Sequence, residues 1–240
     1  MFEFLFFLGA FVAEIIGTIT GFGSSTIFLP IALFFFDFKT ALILVAAFHI
    51  FGNLGRIAFF RHGVDNRILL LFGVPSVVLT IIGALLVSSL SQSILKLILG
   101  TFLLMFSILS LAKPELAVPK TKTSAVIGGS ISGFFAGLIG TGGALRGAFL
   151  TAFRMRKEKY IATAAAIALL VDITRIPIYF AEGFLQFSYY WYLPVLFLIA
   201  IGGSFAGKQV VKKIPPKIFR ILVLIALAFL GILFVIQGLG

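Results

Sequence analysis

Gly137-Leu-Ile-Gly-Thr-Gly-Gly-Ala-Leu-Arg-Gly-Ala-Phe-Leu150 lies inside an apolar run from Ser124 to Phe153, with glycines at its middle and one charge, Arg146, just beyond them. The run is too long for one comfortable bilayer crossing, and clustered glycines relax a helix and let other backbones approach. An arginine at membrane depth is costly enough to require a partner. A second run of this kind, Phe2–Phe36, carries the echo Gly17-Thr-Ile-Thr-Gly-Phe-Gly-Ser-Ser-Thr-Ile-Phe-Leu-Pro30. The two stretches predict two helical hairpins, each broken at its tip.

The rest of the chain fits that setting. Hydrophobic residues make up 61% and charged residues 11%, with a mean hydropathy of +1.20. A water-soluble surface needs roughly a quarter of the residues charged, so the chain belongs in a membrane. Continuous apolar segments at Lys39–Phe60, Ile68–Ser88, Ile94–Ala112, Tyr160–Phe180, Phe187–Gly207 and Ile218–Ile236 each hold about the ~20 residues of a spanning helix. They lack the alternation of outer-membrane strands. The net charge of +11 sits in short loops, where the positive-inside bias explains it better than nucleic-acid binding does. With no cysteine, disulfides and thiol chemistry are excluded. Met1-Phe-Glu-Phe-Leu has no basic region ahead of the apolar residues, so the first segment reads as retained rather than as a signal peptide.

The two halves resemble each other. An offset of about 120 residues sets Gly17 on Gly137, Ile19 on Ile139 and Gly23 on Gly143. An offset of 119 pairs Asn53 with Asp172, Arg56 with Arg175, Phe60 with Tyr179, Pro75 with Pro194 and Gly83 with Gly202. Such weak internal symmetry marks duplicated transporter folds. If each hairpin enters and leaves on one side, 14 basic residues face inside against Lys39 and Lys96 outside; single crossings give 11 against 5. The hairpin arrangement therefore wins on the positive-inside rule. It makes the second half inverted, with both termini outside. The expected fold is an all-α polytopic membrane protein of two inverted repeats, each a glycine-broken hairpin plus three transmembrane helices. Residues 1–112 form the first repeat, 113–123 a cytoplasmic linker (Lys113-Pro-Glu-Leu-Ala-Val-Pro-Lys-Thr-Lys122 at its centre) and 124–240 the second. Pro215-Pro216 is expected to set the start of the last helix.

Three basic side chains remain at membrane depth: Arg56, Arg146 and Arg175. A short helix after Gly142-Gly143 points its free N–H groups and partial positive charge inward, and Arg146, one turn along, adds a full charge. That combination suits an anion; the plainer reading pairs Arg146 with a buried carboxylate such as Glu14. Ser24, Ser25 and Thr26 stand at the matching place in the first half, as anion donors or as simple caps. His49, Asn53 and Arg56 share one helical face, as do Asp172, Arg175 and Tyr179. Asp172 and Arg175 are also spaced to pair with each other, and His49 reads equally as a titrating group or a neutral packing residue. Pro177 is placed to kink the helix after Arg175. Glu14 is the candidate for a coupling proton, its acidity weakened by burial, or is a fixed counter-ion. No nucleophile elbow, HExxH motif or phosphate loop is present, and two histidines exclude a histidine-rich metal site. Catalytic, metal and cofactor sites are therefore not expected.

Gly21-Phe-Gly-Ser-Ser-Thr-Ile-Phe-Leu-Pro30 and Gly137-Leu-Ile-Gly-Thr-Gly-Gly-Ala-Leu145 resemble the paired signature of the TauE/SafE sulfite and organosulfonate exporters, and Asn53-Leu-Gly-Arg56 and Asp172-Ile-Thr-Arg-Ile-Pro177 look like family features. The resemblance covers both halves in order. Ser24-Ser25 replace glycines usual in the first tip, and Arg146-Gly147 stands where an apolar-proline pattern is typical. The resemblance implies export of a small sulfur-containing anion. The expectation is a secondary transporter in the plasma membrane, binding its substrate through Ser24, Ser25, Thr26, Gly142, Gly143 and Arg146. His49, Asn53, Arg56, Asp172 and Arg175 form walls or gate. An anion channel and a proton-coupled uptake carrier stay open as alternatives. Its partners are the anion and membrane lipid, with no nucleic acid; a homo-oligomer is compatible with the reading.

Overall fold

Each apolar segment of the sequence becomes one helix, and each glycine-broken run becomes two. The computed structural model describes residues 2–20, 23–59, 63–112, 118–210 and 216–240. Gly21 and Phe22 of the first tip, Phe60, Arg61, Lys113, Lys212, Lys213 and Pro215 lie outside these residues. In chain order come α1 (Phe2–Thr20), α2 (Ser24–Ala32), α3 (Phe38–Phe59), α4 (Asn66–Leu86) and α5 (Gln92–Ala112). The second half supplies α6 (Lys122–Ile139), α7 (Gly143–Thr151), α8 (Lys157–Ala181), α9 (Tyr192–Val210) and α10 (Pro216–Leu239). No strand occurs among the described residues. Eight of these helices are long and apolar enough to cross a membrane; α2 and α7, of nine residues each, are not.

Local chemistry sets several ends. Asp65 caps α4 by accepting from the Ile68 amide at 3.1 Å, and Thr121 caps α6 by accepting from Ser124 at 3.0 Å. The Ile68 amide and then Lys159, 3.0 Å away, hold the Asp65 carboxyl below its usual range. α6 stops at Gly140, whose φ of 69° is the left-handed conformation that glycine adopts without strain. α10 begins at Pro216, as the Pro-Pro pair leads one to expect. α8 continues through Pro177 to Ala181.

Both broken runs fold back on themselves. After α2, Phe35 meets Phe2 with ring centroids 4.8 Å apart and Phe36 meets Phe6 at 4.9 Å. The chain thus returns to the level at which α1 began. In the second half, Phe149 of α7 packs onto Gly128 of α6.

The helices pack with a two-fold pattern: α1 lies on α9 as α6 lies on α4, α3 touches α9 as α8 touches α4, and the pairs α3·α8, α5·α10 and α2·α7 map onto themselves. Two groups result, α1-α2-α3-α9 and α6-α7-α8-α4, with α5 and α10 paired alongside. α4 and α9 have changed places relative to the chain halves. Small residues permit these contacts. Gly129, Gly133 and Gly137 put one face of α6 against the carbonyls of Phe72, Ser76 and Thr80 on α4. Ser76 and Thr80 donate back to Gly129 and Gly133 at 2.9 and 3.0 Å. Leu70, Val74, Met105, Leu222 and Phe229 face outward, an apolar surface suited to lipid.

Candidate functional site

α2 and α7 meet tip to tip. Gly23 and Gly142 stand just ahead of them, and neither helix start receives a side-chain cap. The first N–H groups of each helix consequently point into the interior without an intrahelical partner. Ser24, Ser25, Thr26, Gly143 and Ala144 are all buried there. Gly23 has a φ of 80°, so the turn into α2 needs glycine. A Cβ at Gly23 would stand 3.4 Å from His49 Nε2, 3.6 Å from Gly143 Cα and 3.7 Å from Arg146 Nη2. The tips are also tied directly, Thr141 Oγ1 donating to Thr26 Oγ1 at 2.8 Å.

Two arginines are matched by carboxylates, one in each packing group. Arg56 Nη2 donates to Glu14 Oε1 at 2.5 Å, with Nη1 on Asn53 Oδ1 at 2.9 Å and Nη2 also reaching Ser24 Oγ at 3.2 Å. Ser204 of α9 donates to the same Glu14 oxygen at 2.6 Å. Arg175 holds Asp172 on its own helix, Nη2 at 2.7 Å and Nε at 3.0 Å, and donates to the Ala136 carbonyl at 2.7 Å. Tyr179 donates to the Gly137 carbonyl beside it. Between the groups, Asp172 Oδ2 takes His49 Nδ1 at 2.8 Å and Asn53 Nδ2 at 3.3 Å.

Arg146 is different. It is 5% exposed; its backbone N–H donates to the Gly142 carbonyl at 2.9 Å, but its guanidinium has neither hydrogen bond nor ion pair with a described residue. Glu14, the carboxylate that the sequence offers as its partner, instead holds Arg56. Among the described residues, three buried guanidiniums therefore face two buried carboxylates. The site carries a positive excess at the start of α7.

The family profile described as sulfite exporter TauE/SafE matches residues 5–234. The chain belongs to the TauE/SafE sulfite exporter family. A probable membrane transporter protein of Methanocaldococcus jannaschii is 26% identical over an alignment that covers 96% of each chain. This TauE/SafE protein is thus a multi-pass membrane transporter.

All eleven residues that the sequence offers as a substrate site are buried around the two tips. Other residues of this TauE/SafE protein belong to the same cluster. Ser204 and Thr18 complete the surroundings of Glu14 and Arg56, Thr18 accepting from Arg56 Nε at 3.4 Å. Thr141 joins the tips, and Ser132 donates to the Gly142 carbonyl at 2.8 Å. Gly52 makes room for the Glu14 carboxylate, since a Cβ there would lie 2.7 Å from each oxygen. A lone serine or glycine in an apolar helix is an ordinary packing residue, so nothing local distinguishes these.

Proposed function

We propose that this protein is a secondary transporter that carries a small anion outward across the plasma membrane, and that the substrate is a sulfur oxyanion such as sulfite or a sulfonate. The observation that carries the reading is Arg146, a buried guanidinium that makes no direct ion pair or side-chain hydrogen bond with a described residue. Uncapped helix starts and an arginine together form a strong oxyanion site. A singly charged anion there balances the three buried guanidiniums and two carboxylates. The family description supports a sulfur-containing substrate. Binding without chemistry is the function proposed.

Ser24, Ser25, Thr26, Gly142, Gly143 and Arg146 hold the anion, and His49, Asn53, Arg56, Asp172 and Arg175 form the walls. The repeats are inverted, both termini face outside, and the tips enter from opposite sides. Access alternates by rocking α1-α2-α3-α9 against α6-α7-α8-α4, groups each stapled internally by its own arginine. An inside-negative potential drives an anion outward by ~2.3 kcal/mol per net charge moved per 100 mV, so export of an anion that leaves without a proton needs no second energy source.

Purified protein is to be screened by thermal shift against sulfite, methanesulfonate, thiosulfate and small carboxylates, because a ligand of the folded state raises its stability. Sulfite or sulfonate is expected to stabilise the wild type and not a folded Arg146→Ala variant, and flux in liposomes to saturate and show counterflow. Equal stabilisation of both proteins rejects the site. Orientation is checked with single cysteines, which the cysteine-free chain permits. Lys39→Cys and Lys159→Cys are expected to label from opposite faces.

A further inference from the structure

His49 has two different sides. Nδ1 meets Asp172 Oδ2 at 2.8 Å, and Asp172 also accepts from Arg175 and Asn53. With that many donors the carboxylate is ionised, so Nδ1 carries a proton and donates it. Nε2 is buried and meets no hydrogen-bond partner among the described residues. The position that a Cβ on Gly23 would take lies 3.4 Å from Nε2 and 3.7 Å from Arg146 Nη2, so both nitrogens border the same tip and an anion drawn to Arg146 comes up beside His49.

The oxygens of a fully ionised oxyanion offer lone pairs only. A neutral His49 also offers a lone pair at Nε2 once Nδ1 holds the proton. Two facing acceptors in a buried site repel, and an unsatisfied buried acceptor is costly. Anion and imidazole fit together only with a proton between them.

We infer that His49 Nε2 is a proton site linked to anion occupancy, so that each bound anion is accompanied by one proton shared between Nε2 and its nearest oxygen. The inference rests on the anion reading of Arg146 and adds to it. An anion that arrives protonated, such as hydrogen sulfite, donates its own O–H to the Nε2 lone pair and takes nothing from solvent. A permanently ionised sulfonate requires Nε2 to take one proton from solvent and donate it back.

The groups facing His49 are Asp172 and Arg175 of α8, Arg146 of α7 and Arg56 on its own helix, with Glu14 of α1 behind Arg56. α2 contributes hydroxyls but no titratable side chain. The His49–Asp172 hydrogen bond, like that of Asn53 to the same carboxylate, also joins the two packing groups. The proton therefore sits where rocking would make and break contact.

The test uses purified full-length protein in detergent and methanesulfonate, which brings no proton. Binding is followed calorimetrically in buffers of different ionisation enthalpy at about pH 8, where an unperturbed imidazole is neutral. The expected result is uptake of about one proton per ligand and a Kd that rises roughly tenfold per pH unit on the alkaline side. Hydrogen sulfite at lower pH is expected to bind without uptake. In His49→Gln, whose amide can donate from a similar position, the binding that remains is expected to show neither proton uptake nor pH dependence. Arg146-dependent methanesulfonate binding without proton uptake in the wild type overturns this inference and leaves the anion site standing. Uptake that persists in His49→Gln and disappears in Glu14→Gln moves the proton to the carboxylate and overturns it as well. Absence of any anion binding in the wild type overturns both readings. Should His49→Gln fail to fold, Glu14→Gln decides: uptake that survives in it supports His49, and uptake lost in it overturns the inference.

Discussion

The two halves solve the same problem with different charges. Asn53 and Arg56 on α3 occupy the places that Asp172 and Arg175 occupy on α8. On α8 the carboxylate lies one turn from its arginine, and the pair closes locally. On α3 that place is an asparagine, so Arg56 takes its counter-ion from Glu14 on α1. At the tips the asymmetry reverses: Thr26 on α2 corresponds to Arg146 on α7 at the offset of 120. A two-fold scaffold thus carries a charge excess on one side only. Symmetry builds the cleft, and its violation gives the cleft a sign.

The largest expected effect tests the two carboxylates. Removing one partner of a buried pair costs about 3–5 kcal/mol because the other charge is stranded. Glu14→Ala and Asp172→Ala are both expected to lower the unfolding temperature in detergent steeply. Asp172→Ala is expected to lower it further, since that carboxylate holds Arg175, His49 and Asn53 together. A milder loss at Asp172 would break the comparison as drawn.

Making the tips alike comes next. Arg146→Thr removes a charge-assisted contact of about 1.5–3 kcal/mol, so anion binding by calorimetry is expected to weaken roughly tenfold to a hundredfold. The unfolding temperature of the ligand-free protein is expected to hold or rise, because a buried charge without a carboxylate partner has been removed. A fall in stability with binding intact would make Arg146 a structural residue.

Thr26→Val severs the hydroxyl contact with Thr141 that joins the tips. The expected cost is about 1 kcal/mol, read as a small drop in unfolding temperature with substrate affinity changed less than in Arg146→Thr. A drop as large as that of Glu14→Ala would show that the tips hold together through this contact.

The smallest effect serves as a control outside the membrane-spanning segments. Asp65→Ala is expected to cost about 1 kcal/mol, the usual worth of an N-cap. The folded protein holds this carboxyl below its usual range, so its contribution is complete above about pH 4 and is lost as the pH falls further. Wild type and variant are expected to draw together in stability as the pH falls below the ordinary aspartate range and to separate above it.

Sequence alone located the six unbroken spanning helices, because apolar length against bilayer thickness is a local quantity; that α1 and α6, the first arms of the broken runs, are also long enough to cross came from the structure. It also located both hairpin tips, because glycines halfway along a long apolar run interrupt helical packing wherever the chain goes. The polar faces of α3 and α8 were legible for the same reason, since helical periodicity puts His49 with Asn53 and Asp172 with Arg175. Tertiary structure decided which charge meets which. Glu14 reaches Arg56 across 42 residues and Ser204 reaches Glu14 across 190, and no periodicity encodes contacts between helices that meet only after packing. It likewise decided that α4 and α9 pack with the opposite half, where small residues let α6 and α1 approach them. Arg146 was visible as a charge in the sequence. That it has no carboxylate partner among the described residues became known only once Glu14 and Asp172 had been placed.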